Sequence, residues 1–280
     1  MLWQCRHVRF AFPRPALVMG IVNVTPDSFS DGGRYLEAAA AAAHGRALLA
    51  EGADILDVGG ESTRPGAAPV AEAEELRRVL PVVRELAAGG AVVSVDTMKP
   101  AVAAAALAAG AVIVNDVAAH RPDDAMLRTV AAAGAGYVAM HMQGTPATMQ
   151  REPRYVDVVA EVDGFFGALL ARLAAAGGLA EQAALDPGLG FGKTAAHNLA
   201  LLANLGAFRK HQRPVLVGVS RKSFLGHLTG AAVEERLPAA LACAVLAAAA
   251  GAAIFRTHDV RATRQALTAA EAVLAQRRKA

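Results

Sequence analysis

With 280 residues, 54% of them apolar and 19% charged, the chain has enough apolar material for a core and too little charge for a disordered polymer. Its 26 glycines and 13 prolines exclude a collagen-like or low-complexity array. The formal charge of +3 is dispersed, and the one dense basic cluster, Arg277, Arg278 and Lys279, reads as a solvated helix end, so no nucleic-acid partner is expected.

Along the chain, residues 1–15 read as an N-terminal extension. Arg6, His7, Arg9 and Arg14 leave no room there for the apolar stretch of a signal peptide. Cys5 and Cys243 are lone, distant thiols, which suits a reducing, cytoplasmic setting. Then eight short apolar runs alternate with long alanine-rich segments: Leu17–Val22, Ile55–Val58, Val92–Val95, Val112–Val114, Tyr137–Met140, Ala183–Leu185, Val215–Val219 and Ala252–Phe255. β-Branched runs suit strands buried on both faces of a parallel sheet, and alanine favours helix. Glu72–Ala88, with Leu76, Val79, Leu80, Val83 and Leu86 at helical spacing, is one such helix, and Val260–Arg278 is the last. The uncharged stretch Leu237–Phe255 contains Pro238 and Gly251 and reads as a buried helix turning into a strand, not a membrane span. Eight βα units without a compositional break predict a single (β/α)8 TIM barrel over residues 16–278 within one domain, 1–280, with a doubly wound open sheet as the alternative.

Every run ends on a polar group: Asn23, Asp57, Asp96, Asn115 with Asp116, His141, Asp186, Ser220 with Arg221, and Arg256 with His258. In a barrel these belong to the C-terminal rim, where substrates bind. The loops Thr25–Gly33 and Gly59–Gly66 are rich in Gly, Pro, Ser and Asp and read as a lid. Some familiar signatures fail. Gly188–Thr194 resembles a phosphate-binding loop, but Pro187 stands where its first glycine belongs. Gly218–Lys222 resembles a nucleophile elbow without its final glycine, and Ser220 reads instead as a helix N-cap. His141 and His258 lack the close partners of a catalytic zinc. An anion site remains: Arg221, Lys222, Arg256 and His258 follow the last two strands, near a helix start at 220–223. Asp96, Asn115 and Asp186 form an opposing set of acceptors, suited to a phosphorylated heterocycle rich in N–H donors.

The segments Met19–Gly33, Gly60–Gly66, Ser94–Thr97, Val114–Asp116, Met140–Pro146, Asp186–Lys193, Ser220–Phe224 and Arg256–Val260 resemble, in order, those of the dihydropteroate synthases. The resemblance implies a folate-pathway transferase, usually a homodimer, that joins a dihydropterin pyrophosphate to p-aminobenzoate and is a target of sulfonamides, which mimic the aminobenzoate. It implies that Asp96, Asn115, Asp186 and Lys222 hold the pterin ring while Met140 and Arg256 cover its faces. It implies that Asn23 ligates Mg2+ on the pyrophosphate, gripped also by Thr63, Arg64, Arg256 and His258. Phe29, Thr63, Pro65, Phe191 and Ser223 would surround the aminobenzoate. Asp96, Lys222, Arg256 and Asn23 are the residues expected to carry the chemistry. One departure, Leu237–Ala240 where many relatives open a helix with Gly-Ser, concerns packing or dimer contacts. A pterin-binding methyltransferase and a pterin-binding paralogue without synthase activity are the alternatives.

Overall fold

The structure, a computed structural model, describes residues 1–24, 34–63 and 66–276, with side chains from residue 38 in the second segment. The elements in chain order are β1 (Leu2–Cys5), β2 (Val8–Ala11), β3 (Leu17–Asn23), α1 (Arg34–Ala50), β4 (Ile55–Gly59), α2 (Glu72–Ala88), β5 (Val93–Asp96), α3 (Pro100–Ala108) and β6 (Ile113–Asp116). They continue with α4 (Ala125–Ala133), β7 (Gly136–Met140), α5 (Val158–Ala175), β8 (Ala183–Asp186), α6 (Ala195–Ala203), β9 (Leu216–Val217), α7 (Ser223–Thr229), α8 (Leu237–Ala249), β10 (Ile254–Thr257) and α9 (Val260–Leu274).

Strands β3 to β10 form one parallel sheet in the order β8-β7-β6-β5-β4-β3-β10-β9. Its two edges meet through the parallel bridge Leu185–Val215 and the bond from the Leu185 N–H to the Pro214 carbonyl, 2.9 Å, so the sheet closes into the expected barrel. The seam is its thinnest part. The run Val215–Val219 supplies only two ladder residues, because the chain turns away through Gly218 toward Arg221, which adopts a φ of 59°.

Side chains on successive strand positions point to opposite faces, and this sorts the core into two layers. Val18, Val22, Leu56, Val58, Val95, Val114, Leu185, Val217 and Phe255 face outward and pack with apolar residues of the helices. Leu17, Met19, Ile55, Ile113, Val138, Ala184, Leu216 and Ile254 form a separate cluster inside the barrel. Trp3, Cys5 and Phe10 of the β1–β2 hairpin complete that inner cluster. The hairpin thus stoppers the N-terminal mouth, and the Trp3 indole N–H donates to the Gln182 carbonyl at 2.9 Å. Trp3, Cys5 and Phe10 of the extension at 1–15 are therefore part of the core, a role that its short, mixed sequence did not disclose. No helix among the described residues is long and apolar enough to cross a membrane, and Leu237–Phe255 is a 13-residue helix followed by a strand as expected.

Candidate active site

Two residues beyond the inward apolar positions Ile55, Ile113, Val138, Ala184 and Ile254 come Asp57, Asn115, Met140, Asp186 and Arg256. The same alternation that builds the apolar stopper therefore presents a second inward layer, about 7 Å higher along the strands. Parallel register places Asn23 beside Gly59, Gly59 beside Asp96 and Asp96 beside Asn115, while Met140 lies beside Asp186 across the barrel. Asn23, Asp96, Asn115, Asp186 and Arg256 thus share one rim, as the chain-order reading requires.

Arg256 is the centre of this layer. Its Nε donates to Asp57 Oδ2 at 2.6 Å and its Nη2 to Asp96 Oδ2 at 2.7 Å. The Asn115 amide nitrogen donates to the same Asp57 oxygen at 2.9 Å, which turns the Asn115 carbonyl away from Asp57 as an available acceptor. Burial opposes the charge on Arg256, but Asp57 and Asp96 outweigh it and hold the guanidinium above its usual range. Burial pushes Asp96 well above the usual carboxylate range, with Arg256 acting against it and Asp57, Glu75 and Asp116 reinforcing it. Asp57 Oδ1, Ser94 Oγ and Asp96 Oδ1 are buried without a hydrogen-bond partner. Buried acceptors left unmade are costly, so these atoms are where a ligand N–H or water would be most rewarded.

On the opposite side Asp186 accepts from the Gly188 N–H at 2.7 Å, and burial again raises its pKa. Burial lowers Lys222 to about 8, Asp186 opposing that fall and Arg256 adding to it. The Lys222 ammonium lies 4.0 Å from the centre of the Phe191 ring. Met140, 2% exposed, clusters with Val117, Met142 and Met149, and Met98 and Phe191 pack against them. Aromatic and thioether surface thus borders the charged layer.

Other expected residues differ in their surroundings. Ser220 is not an N-cap: α7 begins at Ser223, with Lys222 in the capping position. Its hydroxyl instead meets His258 Nδ1 at 3.0 Å and Asp259, because the turn at Arg221 aims it toward β10. Arg221 is exposed and paired with Asp259 at 3.2 Å. Asp116, next to inward Asn115, faces outward and binds Tyr137 at 2.9 Å and Arg121 at 3.0 Å. Thr63 lies on the loop after β4, whose Glu61 is paired with Lys99. Phe29, Arg64 and Pro65, with the first loop Thr25–Gly33, lie outside the described residues. Two residues were missed as site members. Asp57 appeared only as one strand end among eight, and Lys193 only as part of a failed motif. The inward parity of Asp57 with Ile55 was the available signal for the first.

Among the described residues no cluster of His, Cys, Asp or Glu could hold a metal ion. A closed parallel barrel that carries an Asp57–Arg256–Asp96 clamp, with Asp186 and Lys222 near it on one rim, is suited to receive a flat polar ring. Residues 19–258 match the family described as pterin binding enzyme, and the chain belongs to that family. It is 50% identical over 258 residues to the dihydropteroate synthase of Escherichia coli strain K12, covering 92% of this chain and 91% of that protein. Among solved structures, Xanthomonas albilineans dihydropteroate synthase with 4-aminobenzoic acid matches with a TM-score of 0.91 at 47% identity, over 99% of this chain and 100% of that one. Yersinia pestis dihydropteroate synthase in complex with a sulfonamide drug matches with a TM-score of 0.91 at 44% identity, over 98% of this chain and 100% of that one.

Proposed function

We propose that this enzyme is a dihydropteroate synthase: it condenses 6-hydroxymethyl-7,8-dihydropterin pyrophosphate with p-aminobenzoate, releasing 7,8-dihydropteroate and pyrophosphate. The observation that carries the reading is the layer around Arg256, with Asp96 Oδ1 a buried, unpartnered acceptor beside the Asn115 carbonyl and Asp186 across the barrel. A pterin presents N–H donors along its edge and two flat faces. Asp96, Asn115 and Asp186 take the donors, Lys222 donates to a ring acceptor, and Met140 and the Arg256 plane cover the faces.

In the reaction the C–O bond at the exocyclic methylene breaks, its electron pair leaves with pyrophosphate, and the neutral aromatic amine forms the new C–N bond before losing a proton. The electron-rich ring delocalises positive charge from that carbon. A carboxylate about 4 Å from a unit charge, at an effective dielectric of ~20, contributes roughly 4 kcal/mol, or about a thousandfold in rate. The Asp96 carboxylate is held in place by the Arg256 Nη2 at 2.7 Å. That fixed position concentrates its stabilisation where charge develops. These features favour a dissociative displacement.

Arg256 and His258, with Thr63 and Arg64 of the second loop, grip the pyrophosphate. Mg2+ takes few protein oxygens and shares the rest with water and phosphate, so the single carbonyl oxygen of Asn23 on the rim fits an ion that arrives with the substrate rather than a resident one. When bound, it neutralises charge on the leaving group. The aminobenzoate lies among Phe29, Thr63, Pro65, Phe191 and Ser223, where sulfonamides compete with it. The working unit is a homodimer, a reading supported by exposed Leu199, Leu228 and Leu246 on the mutually contacting helices α6, α7 and α8.

Purified protein with both substrates and Mg2+ should release pyrophosphate and dihydropteroate in equal amounts. Binding of the pterin pyrophosphate without turnover would leave a pterin-binding paralogue, and transfer of a methyl group would overturn the synthase reading.

A further inference from the structure

The segment that imitates a phosphate-binding loop has another use. Lys193 is 3% exposed, and its ammonium is buried between rim loops. It donates to the Phe191 carbonyl at 3.0 Å and the His141 carbonyl at 3.1 Å, and lies 3.0 Å from His141 Nδ1. Those partners belong to two different rim loops, the one after β7 and the one after β8. The loops touch backbone to backbone. Gly188 has a φ of 68° and a side chain there would lie 1.9 Å from the His141 carbonyl; Gly192 has a φ of 61° and one there would lie 2.5 Å from the Gln143 carbonyl. Glycine is required at both positions for conformation and for space.

A buried cation bonded to carbonyls and an imidazole is costly, and burial lowers Lys193 to about 7 while Asp186 opposes the fall and Lys222 adds to it. The arrangement survives either protonation state. An ammonium donates to all three acceptors, and a neutral amine donates to the two carbonyls and accepts from a His141 Nδ1–H. His141 stays neutral, since burial and Lys193 hold it at about 3. The ring of Phe191, whose carbonyl Lys193 holds, lies under Lys222 and against the Met140 cluster.

We propose that Lys193 is a positioning residue that clasps the loops after β7 and β8, keeping Phe191 against Lys222 as one wall of the second-substrate pocket. This rests on the reading of Phe191 as an aminobenzoate contact. Lys193→Met keeps the bulk and removes the donors. It should raise KM for p-aminobenzoate about tenfold while changing KM for the pterin pyrophosphate less than about threefold, with kcat falling less than KM rises. Gly192→Ala forces the same crossing apart without touching the lysine and should give the same split, which keeps the test decisive if Lys193→Met fails to fold. Amide exchange at Gly190 and Phe191 should quicken in both variants. An unchanged aminobenzoate KM, or equal rises in both KM values, would overturn the clasp. If the wild-type enzyme shows no saturation with p-aminobenzoate, the functional reading fails instead, and amide exchange alone then decides whether the clasp exists.

Discussion

The two mouths of this barrel are built from the same strands and differ by one inward side chain per strand. At the N-terminal mouth Leu17, Met19, Ile55, Ile113, Val138, Ala184 and Ile254 meet Trp3, Cys5 and Phe10 in an apolar seal. One inward step along, Asp57 and Asp186 hold charge in near-complete burial beside the buried Asn115 amide and the partly buried Arg256. The lower layer gains by excluding water from apolar surface. The upper layer is stable only because each group is partnered, and its unpartnered atoms mark what it awaits. Stability and function are therefore segregated along the barrel axis, and mutations at the two mouths should separate them.

The largest effect should come from Arg256→Met. It leaves Asp57 and Asp96 buried without their cation, so kcat/KM should fall by about a thousandfold or more and stability by about 3–5 kcal/mol. Turnover assays and chemical unfolding check both. Trp3→Ala should cost a comparable ~3–5 kcal/mol in unfolding while leaving both KM values within about twofold, because the apolar cluster it completes includes no rim residue. A large kcat change at constant fold would break the segregation. Asp57→Asn removes a charge but keeps an oxygen for Arg256 and Asn115. It should lower kcat/KM by roughly 10- to 100-fold and shift the acid limb of the pH profile downward, because Asp57 is one of the groups that raise Asp96.

The smallest test is pH itself. Lys222 loses its proton near pH 8 in the folded protein but near 10.5 when unfolded. Activity should fall about tenfold per unit above that lower value. Over the same window the unfolded chain binds more protons, so Lys222 contributes a stability that rises with pH. Opposite slopes for activity and unfolding would tie the alkaline limb to this lysine. Parallel slopes would assign it elsewhere.

The strands were legible because each is a short apolar run that ends on a polar group, and α2 was legible to its ends, Glu72 and Ala88, because its apolar spacing is helical. The rim residues Asn23, Asp96, Asn115, Asp186 and Arg256 were legible because a parallel barrel sends every strand end to one face. Asp116 shows the limit of that rule. It ends a strand as Asn115 does, yet parity turns it outward to Tyr137 and Arg121. Ser220 shows another: its hydroxyl could cap a helix in sequence, but the turn at Arg221 gives it to His258.

What the chain order determined by itself was local and periodic: eight βα units, the polar group that ends each strand, and the family resemblance of the loops between. Tertiary structure alone decided which of two neighbouring polar residues faces inward, that residues 2–11 form the stopper, that Asp57 serves Arg256 and Asn115 at once, and that Lys193 bonds two loops rather than a phosphate. The physical reason is that hydrogen-bond partners 58 to 199 residues apart in sequence, such as Asn115 and Arg256 with Asp57, leave no local pattern. Their pairing is set by barrel closure, and burial then makes that pairing obligatory.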